Sequence, residues 1–581
     1  MFAQFSTPLL SRKILLRVLP AIFTICGIQA LANDNDTLHS IRNATIAFSQ
    51  GESYEFDSQL LSVNAEINLR AWQKWRKLAT RPEHFPDDVL KQYQSNNITL
   101  IAGGTASVIF QDETTPANFQ DWATVDAKGE RVPHDYIVPG AHRASMANPH
   151  YRRHLIELFQ LQIDAGVDGV FIDEVNAGAY NGGQKWGFNG NEGFDNYFLA
   201  DFNRYLLAKY PGFTKENWQE RFAMQANNYP RKDVDPSDLK NNFNYRHYLE
   251  EHGWSEQPLN QNNPLMREWG VLVPNRTFPS AMNFREQALI SYWKEIVDTL
   301  KSYAREKYNK QLLVTSNGIF PFVDFNSVGL YEYNFDDFDG KGSYLSGKQA
   351  EYVPVKNGKL DGSRSLQAIF RKLYNYNQKV AGDVPLVLFI DWPTEMMRNY
   401  NNLNKKQRED YWRLYVADAY AQGLRFAHHL KTSIPGDPSA KDKNMLSFFR
   451  EQGKFYKRYS QLCSATKPLT ETAQAQIHVN HKNIDISLHS NPDKSRYCLH
   501  LVNHNYNKTI NEKNNLKINL KLRETVNQVF EISPDNNADS TSAEGETVLN
   551  FSTKGDQIEI GLEKLRYSSI VILDTGATDD N

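Results

Sequence analysis

The chain has 581 residues, of which 40% are hydrophobic and 23% charged, and its formal net charge is −3. This is the composition of a folded globular protein, and the length favours two domains, one of them a large barrel. A chain so close to neutral has no electrostatic basis for binding nucleic acid or an anionic membrane surface, so neither partner is expected. Aromatic residues make up 12% of the chain, which suits sugar-binding surfaces and hydrophobic cores equally.

Residues 1–32 have the pattern of a signal peptide. Basic residues precede an apolar run from Val18 to Ile28, and Ala30-Leu31-Ala32 follows it. We expect cleavage after Ala32 and a secreted or periplasmic mature protein. The apolar run is shorter than the roughly 20 residues that span a bilayer, so no integral membrane segment is expected after signal cleavage.

Two cysteines, Cys463 and Cys498, remain after removal of the signal. An exported protein can join them in a disulfide, and two separately packed thiols are an equal alternative. The sequence contains no group of Cys and His with the spacing of a zinc site and no nucleotide-binding glycine motif, so we predict neither a metal nor a cofactor. The oligomeric state is left open.

Residues 33–462 alternate helical apolar patterns with short β-branched runs, as a parallel sheet with crossover helices does. Seven strands are predicted, at residues 45–48, 98–102, 169–172, 312–315, 328–331, 386–390 and 424–427. A (β/α)8 TIM barrel needs an eighth, which we place between Phe48 and Pro139, either early or near Tyr136-Ile137-Val138. Residues 70–78 are predicted to be helical.

Two further regions differ from the barrel pattern. A long insertion at about 177–283 contains several short helical patterns, and insertions of this length commonly form a lid or cleft wall. Over residues 465–574, alternating segments at 497–502, 516–522, 526–532, 557–560 and 568–573 predict an antiparallel β-sandwich. The predicted fold class is α/β, a (β/α)8 TIM barrel followed by a C-terminal antiparallel β-sandwich domain.

Several barrel strands run directly into polar residues. Three of them end at acids: residues 169–172 precede Asp173 and Glu174, residues 328–331 precede Glu332, and residues 386–390 precede Asp391. In a TIM barrel the functional residues lie at the carboxyl ends of the strands, so we expect these acids at one rim. Each acid alone has a structural alternative, as a cap or a salt-bridge partner, but their recurrence favours a shared function.

A pair of carboxylates across a cleft is the apparatus of glycoside hydrolysis. One acid protonates the leaving oxygen, and the other attacks the anomeric carbon or activates water. Neighbouring residues of a strand point to opposite sides, so Asp173 and Glu174 cannot both face the barrel axis. We choose Asp173 for the axis.

The sequence also resembles a known family of exported barrel glycosidases. Asn148-Pro149-x-Tyr151-Arg152, a helix and the run from Gly166 to Asp173 match its fourth-strand region, and His500-Leu501-Val502-Asn503 with the closing run from Tyr567 to Leu573 is similar to its sandwich. The family is that of dextranase and the cycloisomaltooligosaccharide enzymes, glycoside hydrolase family 66, with its relatives. Its nucleophile is an Asp ending the fourth strand and its acid/base a Glu ending the sixth. The resemblance therefore implies that Asp173 is the nucleophile and Glu332 the acid/base of a retaining hydrolase.

A carbohydrate is the predicted substrate, a polysaccharide or an oligosaccharide. Six further residues are candidates for binding it: Glu174, Asn317, Asp391, Trp392, His428 and Trp186. Tyr180, Trp254 and Trp269 of the insertion are weaker candidates. Two alternatives stay open, a non-catalytic carbohydrate-binding protein on the same scaffold and a transglycosylase. The sequence does not specify the glycan, its linkage, endo or exo action, or whether the configuration is retained or inverted.

Overall fold

The computed structural model describes residues 41–575 apart from a set of gaps. The gaps are 43, 51–55, 63, 72–85, 112, 135–138, 174, 176–191, 226, 259, 261, 271–283, 331–354, 357–358, 361–366, 391–403, 430–444, 464–465, 508 and 536–545. The predicted signal peptide lies outside the described residues. Within the described part of the chain, no helix combines the length and the apolar character that a membrane crossing requires.

Eight parallel strands form a closed barrel. They are β1 Ile46–Gln50, β2 Ile67–Ala71, β3 Thr99–Thr105, β4 Gly169–Asp173, β5 Leu313–Asn317, β6 Phe325–Leu330, β7 Leu386–Ile390 and β8, which consists of Arg425–Phe426 and His428–His429. Each strand pairs with the preceding one, and β8 also pairs with β1 through Ala47↔His428 and Phe48↔His429. The predicted TIM barrel is confirmed, with the strand of Asp173 as the fourth.

The register of the strands gives the stagger of the barrel. If the register of each pair of neighbouring strands is extended, the position level with Phe48 is carried around the barrel to position 421 of the chain. Phe48 itself pairs with His429. The difference, 429 minus 421, is eight residues, which is the shear of a TIM barrel. This stagger tilts the strands, so that alternate side chains meet in layers on the barrel axis.

An apolar cluster fills the barrel interior. It contains Ile46, Phe48, Ile67, Leu69, Ile101, Phe171, Phe325, Val387, Phe389 and Ala427. Since side chains alternate along a strand, Gly169 and Asp173 have the same parity as Phe171 on β4. The neighbouring strand β3 comes very close here, because a Cβ on Gly103 would lie 1.9 Å from the carbonyl oxygen of Phe171.

The strand missing from the sequence prediction is β2. It lies between Phe48 and Pro139, as expected, but the helix predicted at residues 70–78 is wrong at its start, because Arg70 belongs to β2. Asn68 and Arg70 are buried on the outside of the barrel, where Asn68 Nδ2 donates to the Tyr93 hydroxyl at 2.8 Å. Two of the five positions of β2 are polar, so this strand lacks the continuous apolar run by which the other strands were predicted. The alternative site, residues 136–138, lies outside the described residues.

Twelve described helices belong to the barrel and its loops. Their bounds are α1 Gln59–Ser62, α2 Asp87–Ser95, α3 Pro116–Trp122, α4 Pro149–Asp164, α5 Asn196–Lys209, α6 Lys215–Phe222, α7 Tyr245–Glu251, α8 Met266–Trp269, α9 Phe284–Tyr308, α10 Gln367–Ala381, α11 Lys405–Ala421 and α12 Met445–Cys463. The helices α5 to α8 lie in the described part of the insertion after β4.

The connection from β5 to β6 has no helix. Only residues 318–324 join the two strands, whereas parallel neighbours usually need a crossover of a dozen residues or more. Two buried aromatic residues of this connection, Phe320 and Phe322, take the place of a helix. The Phe322 ring stacks on that of Trp293 of α9, with the ring centres 6.3 Å apart. Asp324 secures the turn, because it accepts from the Val314 amide and pairs with Lys301, each at 2.7 Å.

The C-terminal region is an antiparallel sandwich of two sheets, as predicted. One sheet has the order β9, β11, β12, β18, β14, β15, and the other β10, β13, β17, β16. The strands are β9 Lys467–Pro468, β10 His478–Val479, β11 Ile484–Ser490, β12 Arg496–Asn503, β13 Lys513–Lys521, β14 Gln528–Ile532, β15 Thr547–Val548, β16 Phe551–Lys554, β17 Gln557–Leu565 and β18 Ser568–Asp574. Alternating apolar side chains of both sheets form its core.

A disulfide joins the two domains. Cys463 at the end of α12 is bonded to Cys498 on β12, with the two Cα atoms 6.3 Å apart. Of the two alternatives that the sequence left open for these cysteines, the structure therefore has the disulfide. Both residues are fully buried, so the bond lies inside the contact between the last barrel helix and the sandwich.

Candidate active site

Asp173 is the last residue of β4 and lies at the carboxyl end of the barrel. Its parity is that of Phe171, whose ring is part of the interior cluster, so its side chain belongs to the axial side of the sheet. The residue is 8% exposed. The sequence brings an acid to this point because Val170, Phe171 and Ile172 form a fully buried strand that ends here.

Asn317 lies beside Asp173 on the neighbouring strand. The two residues are 144 positions apart in the chain, yet Asn317 Nδ2 donates a hydrogen bond to Asp173 Oδ1 at 3.2 Å. Asn317 ends β5 and is half-buried. A donor to a carboxylate favours its ionised form, so this contact both orients the acid and supports its charge.

The turn after Asn317 requires glycine. Gly318 has a φ of +142°, and a Cβ at this position would lie 2.4 Å from the ring of Phe320. The amide of Gly318 donates to the Ser327 carbonyl of β6 at 2.7 Å. This bond fixes the carboxyl end of β5 against β6, so Asn317 is held on a rigid strand end rather than on a loose loop.

Thr105 lies on the other side of Asp173. It is the last residue of β3, is paired with Asp173 in the parallel register, and is half-buried. The sequence prediction ended this strand at residue 102, because Gly103 and Gly104 interrupt the apolar run. The signal that could have found Thr105 is its parity with Ile101 on a strand continued through the glycines.

Most of the other predicted site residues lie outside the described residues. These are Glu332, Glu174, Asp391, Trp392 and Trp186. The weaker candidate Tyr180 also lies outside the described residues. His428 is placed by its backbone on β8, where it pairs with Ala47 of β1. The separation of the Asp173 and Glu332 carboxyl groups therefore stays a prediction.

Two of the candidate tryptophans of the insertion, Trp254 and Trp269, are described. Trp269 is completely buried, its ring 4.9 Å from that of Phe202, so the hypothesis that it lines a sugar subsite is wrong. It forms the aromatic core that joins α5, α7 and α8 instead. Trp254 is half-buried and stacks on the His252 ring at 4.7 Å. Its placement at a subsite stays a prediction.

Comparisons with known proteins support the fold. A solved cycloisomaltooligosaccharide glucanotransferase of Paenibacillus sp., complexed with cycloisomaltoheptaose, is similar over 91% of this chain and 85% of its own, with 9% sequence identity and a TM-score of 0.54. At this identity the likeness establishes the barrel-and-sandwich fold alone. That fold is the one to which the sequence resemblance pointed.

More remote structural likenesses have TM-scores of 0.46. A maltogenic alpha-amylase of Thermotoga neapolitana is 10% identical and covers 91% of this chain and 98% of its own. An alpha-amylase of Anoxybacillus is also 10% identical and covers 92% and 98%. No protein-family model matches the sequence, and no curated protein matches it either.

Proposed function

We propose that the protein is an exported glycoside hydrolase that cleaves glycosidic bonds in a polysaccharide or oligosaccharide with retention of configuration. The observation that carries the proposal is the carboxylate of Asp173, which ends the fourth strand of a closed barrel on the axial side and accepts a hydrogen bond from Asn317. The proposal assigns Asp173 as the nucleophile and Glu332 as the acid/base.

The first half of the proposed reaction forms a covalent intermediate. An oxygen of Asp173 attacks the anomeric carbon while the glycosidic C–O bond breaks, and Glu332 gives its proton to the departing oxygen. In the second half Glu332 takes a proton from water, and the water oxygen attacks the anomeric carbon and releases Asp173. Retention requires the two carboxyl groups to lie about 5 to 5.5 Å apart.

Asn317 has a positioning role in this mechanism. Its amide donates a hydrogen bond to Oδ1 of Asp173 and so orients the carboxylate. Since the donor is neutral, it orients the carboxylate without cancelling the negative charge that makes it nucleophilic. The sequence suggests Asn317 as a ligand for substrate hydroxyls. Its hydrogen bond with Asp173 supports a second role, that of positioning the nucleophile.

The remaining candidates are assigned to substrate binding. Asp391 and Glu174 supply acceptors for sugar hydroxyls, and His428 supplies a ring nitrogen. Trp392 and Trp186 supply flat apolar faces on which sugar rings stack. These assignments rest on the sequence positions of the residues after barrel strands and in the insertion.

The experiment is product analysis by NMR on a panel of polysaccharides. Retention predicts that the first product has the anomeric configuration of the substrate, and an inverted first product would contradict the nucleophilic role of Asp173. Glu332→Gln should lose hydrolysis while still binding the same glycan. Products longer than the substrate would identify a transglycosylase, in which a sugar hydroxyl replaces water in the second step. Binding of a glycan without any cleavage product would identify the non-catalytic alternative.

A further inference from the structure

Three side chains that can ligate a metal meet where the barrel contacts the sandwich. Asp418 lies on α11 of the barrel, Asp485 on β11 of the sandwich, and His504 directly after β12. One ligand atom from each lies within 4.8 Å of the other two. His504 Nε2 is 3.0 Å from Asp418 Oδ1 and 3.7 Å from Asp485 Oδ2. The same imidazole nitrogen therefore faces both carboxylates.

The burial of this group makes its charge balance important. The side chains of Asp418 and His504 are 1% and 5% exposed, and that of Asp485 is 34% exposed. With both acids ionised, a neutral imidazole leaves two negative charges among the three groups, and an imidazolium still leaves one. Like charges held this close in a largely buried site repel one another. A divalent cation bound between the two carboxylates would offset that repulsion.

The geometry fits a small transition metal better than calcium. Zinc bonds to nitrogen and carboxylate oxygen are about 2.0 to 2.2 Å long, which puts tetrahedral ligand atoms roughly 3.4 Å apart. The two distances from His504 Nε2 lie on either side of that value. An imidazole ligand also favours zinc over calcium, which takes oxygen ligands. Asp485 is the partly exposed member, so a water molecule can reach the fourth position beside it.

We propose that Asp418, Asp485 and His504 form a zinc site that fastens the sandwich to the barrel. The ligands come from three elements of two domains and are separated by 67 and 19 residues in the chain. Such a set has no sequence spacing that could reveal it, which is why sequence analysis predicted no metal. The site does not depend on the proposed glycosidase function, and its test does not use catalytic activity.

The experiment uses the full-length protein freed of metal by a chelator and then titrated with zinc chloride. We expect one zinc ion per chain, retained through gel filtration and measured by plasma mass spectrometry, and a midpoint of thermal unfolding that rises with zinc concentration. Calcium and magnesium at the same concentration should leave the midpoint unchanged. His504→Gln and Asp485→Asn should each weaken zinc binding at least about tenfold.

His478→Gln is the matched control, because His478 is an exposed histidine of the same sandwich. It should bind zinc like the parent protein. Asp485→Asn is the safer of the two site variants, since Asp485 is partly exposed, and circular dichroism in chelator checks that both variants fold. The proposal is overturned if zinc is not retained, if it leaves the thermal midpoint unchanged, or if the site variants bind it as tightly as the control. A response to calcium equal to that with zinc would equally overturn it.

Discussion

The barrel mouth and the contact between barrel and sandwich both bury carboxylates, but they surround them differently. At the mouth, Asp173 accepts a hydrogen bond from the neutral amide of Asn317. At the domain contact, Asp410 of α11 accepts from Lys406 at 2.7 Å and from the hydroxyl of Tyr567. Burial, with Asp410 beside it, raises the pKa of Tyr567, so this hydroxyl stays protonated and remains a donor.

We propose that the carboxylate at the mouth serves chemistry and that the one at the domain contact serves structure. A cation and a hydroxyl that both donate to Asp410 offset its charge and hold two domains together. An amide donor orients Asp173 and leaves its charge in place. We therefore expect changes at the mouth to reduce turnover with little effect on stability, and changes at the domain contact to do the opposite. The four predictions below test this contrast, from the largest expected effect to the smallest.

Asp173→Asn should lower kcat on a cleavable glycan by at least about 10³-fold, roughly 4 kcal/mol, because an amide cannot serve as the nucleophile. The thermal midpoint should stay within about 2 °C of the parent value. Asp168→Asn is the matched control at the opposite end of the same strand, where Asp168 pairs with Lys310 at 2.8 Å. It should retain activity. Near-normal turnover by Asp173→Asn would remove this residue from the mechanism.

Replacing both Cys463 and Cys498 by serine should destabilise the protein by about 2 to 4 kcal/mol, because the disulfide restricts the unfolded chain. Differential scanning calorimetry measures the change, and reduction of the parent protein should reproduce it. The kcat at 25 °C should change less than twofold, since the bond lies in the domain contact. A large loss of kcat without a loss of stability would break the contrast between the two regions.

Acidification should weaken the domain contact through His489. Burial, together with Arg425 and Arg371, lowers the pKa of His489 to about 4, and burial also lowers the pKa of His500, whose ring centre is 4.4 Å away. Below about pH 6.5 the unfolded chain binds protons that the folded state does not. The contribution of His489 to stability is therefore fully present above pH 6.5, falls by about 3 kcal/mol between pH 6.5 and 4, and levels off below pH 4.

Thermal unfolding across this pH range measures the loss. His489→Gln keeps an amide that can donate to the Ala421 carbonyl, as the His489 Nε2 donates at 2.9 Å, and it removes the titration. Its stability should depend less steeply on pH than that of the parent protein. An equal slope in the two proteins would show that His489 does not titrate with folding.

Asn317→Ala should lower kcat by about 10- to 50-fold, because it removes a donor to the nucleophile, and KM should change little. Loss of the donor disfavours the ionised carboxylate, so the acidic limb of the pH–rate profile should move to higher pH. Asn326→Ala is the control on the next strand, where Asn326 is bonded to Asn377 at 2.9 Å. It should affect stability rather than rate. An unshifted pH profile for Asn317→Ala would reduce its role to packing.

The difference between predicted and observed strands has a physical cause. Seven barrel strands were predictable because both faces of a parallel strand are buried, so each is a short apolar run. The eighth, β2, was missed because Asn68 and Arg70 are polar, and their burial depends on Tyr93 of α2. The β5–β6 connection was equally unpredictable, since its aromatic residues replace a helix only by packing on Trp293 of α9.

The amino-acid sequence determined the alternation of strands and helices, the change to a sandwich and the acid at the end of the fourth strand, because periodic burial acts between residues near in the chain. The folded chain decided which distant residues meet. Asn317 reaches Asp173 because the strand register aligns the ends of β4 and β5, and Asp418 reaches His504 because the sandwich docks on α11. Such contacts depend on register and docking, and neither is encoded in any local spacing of residues.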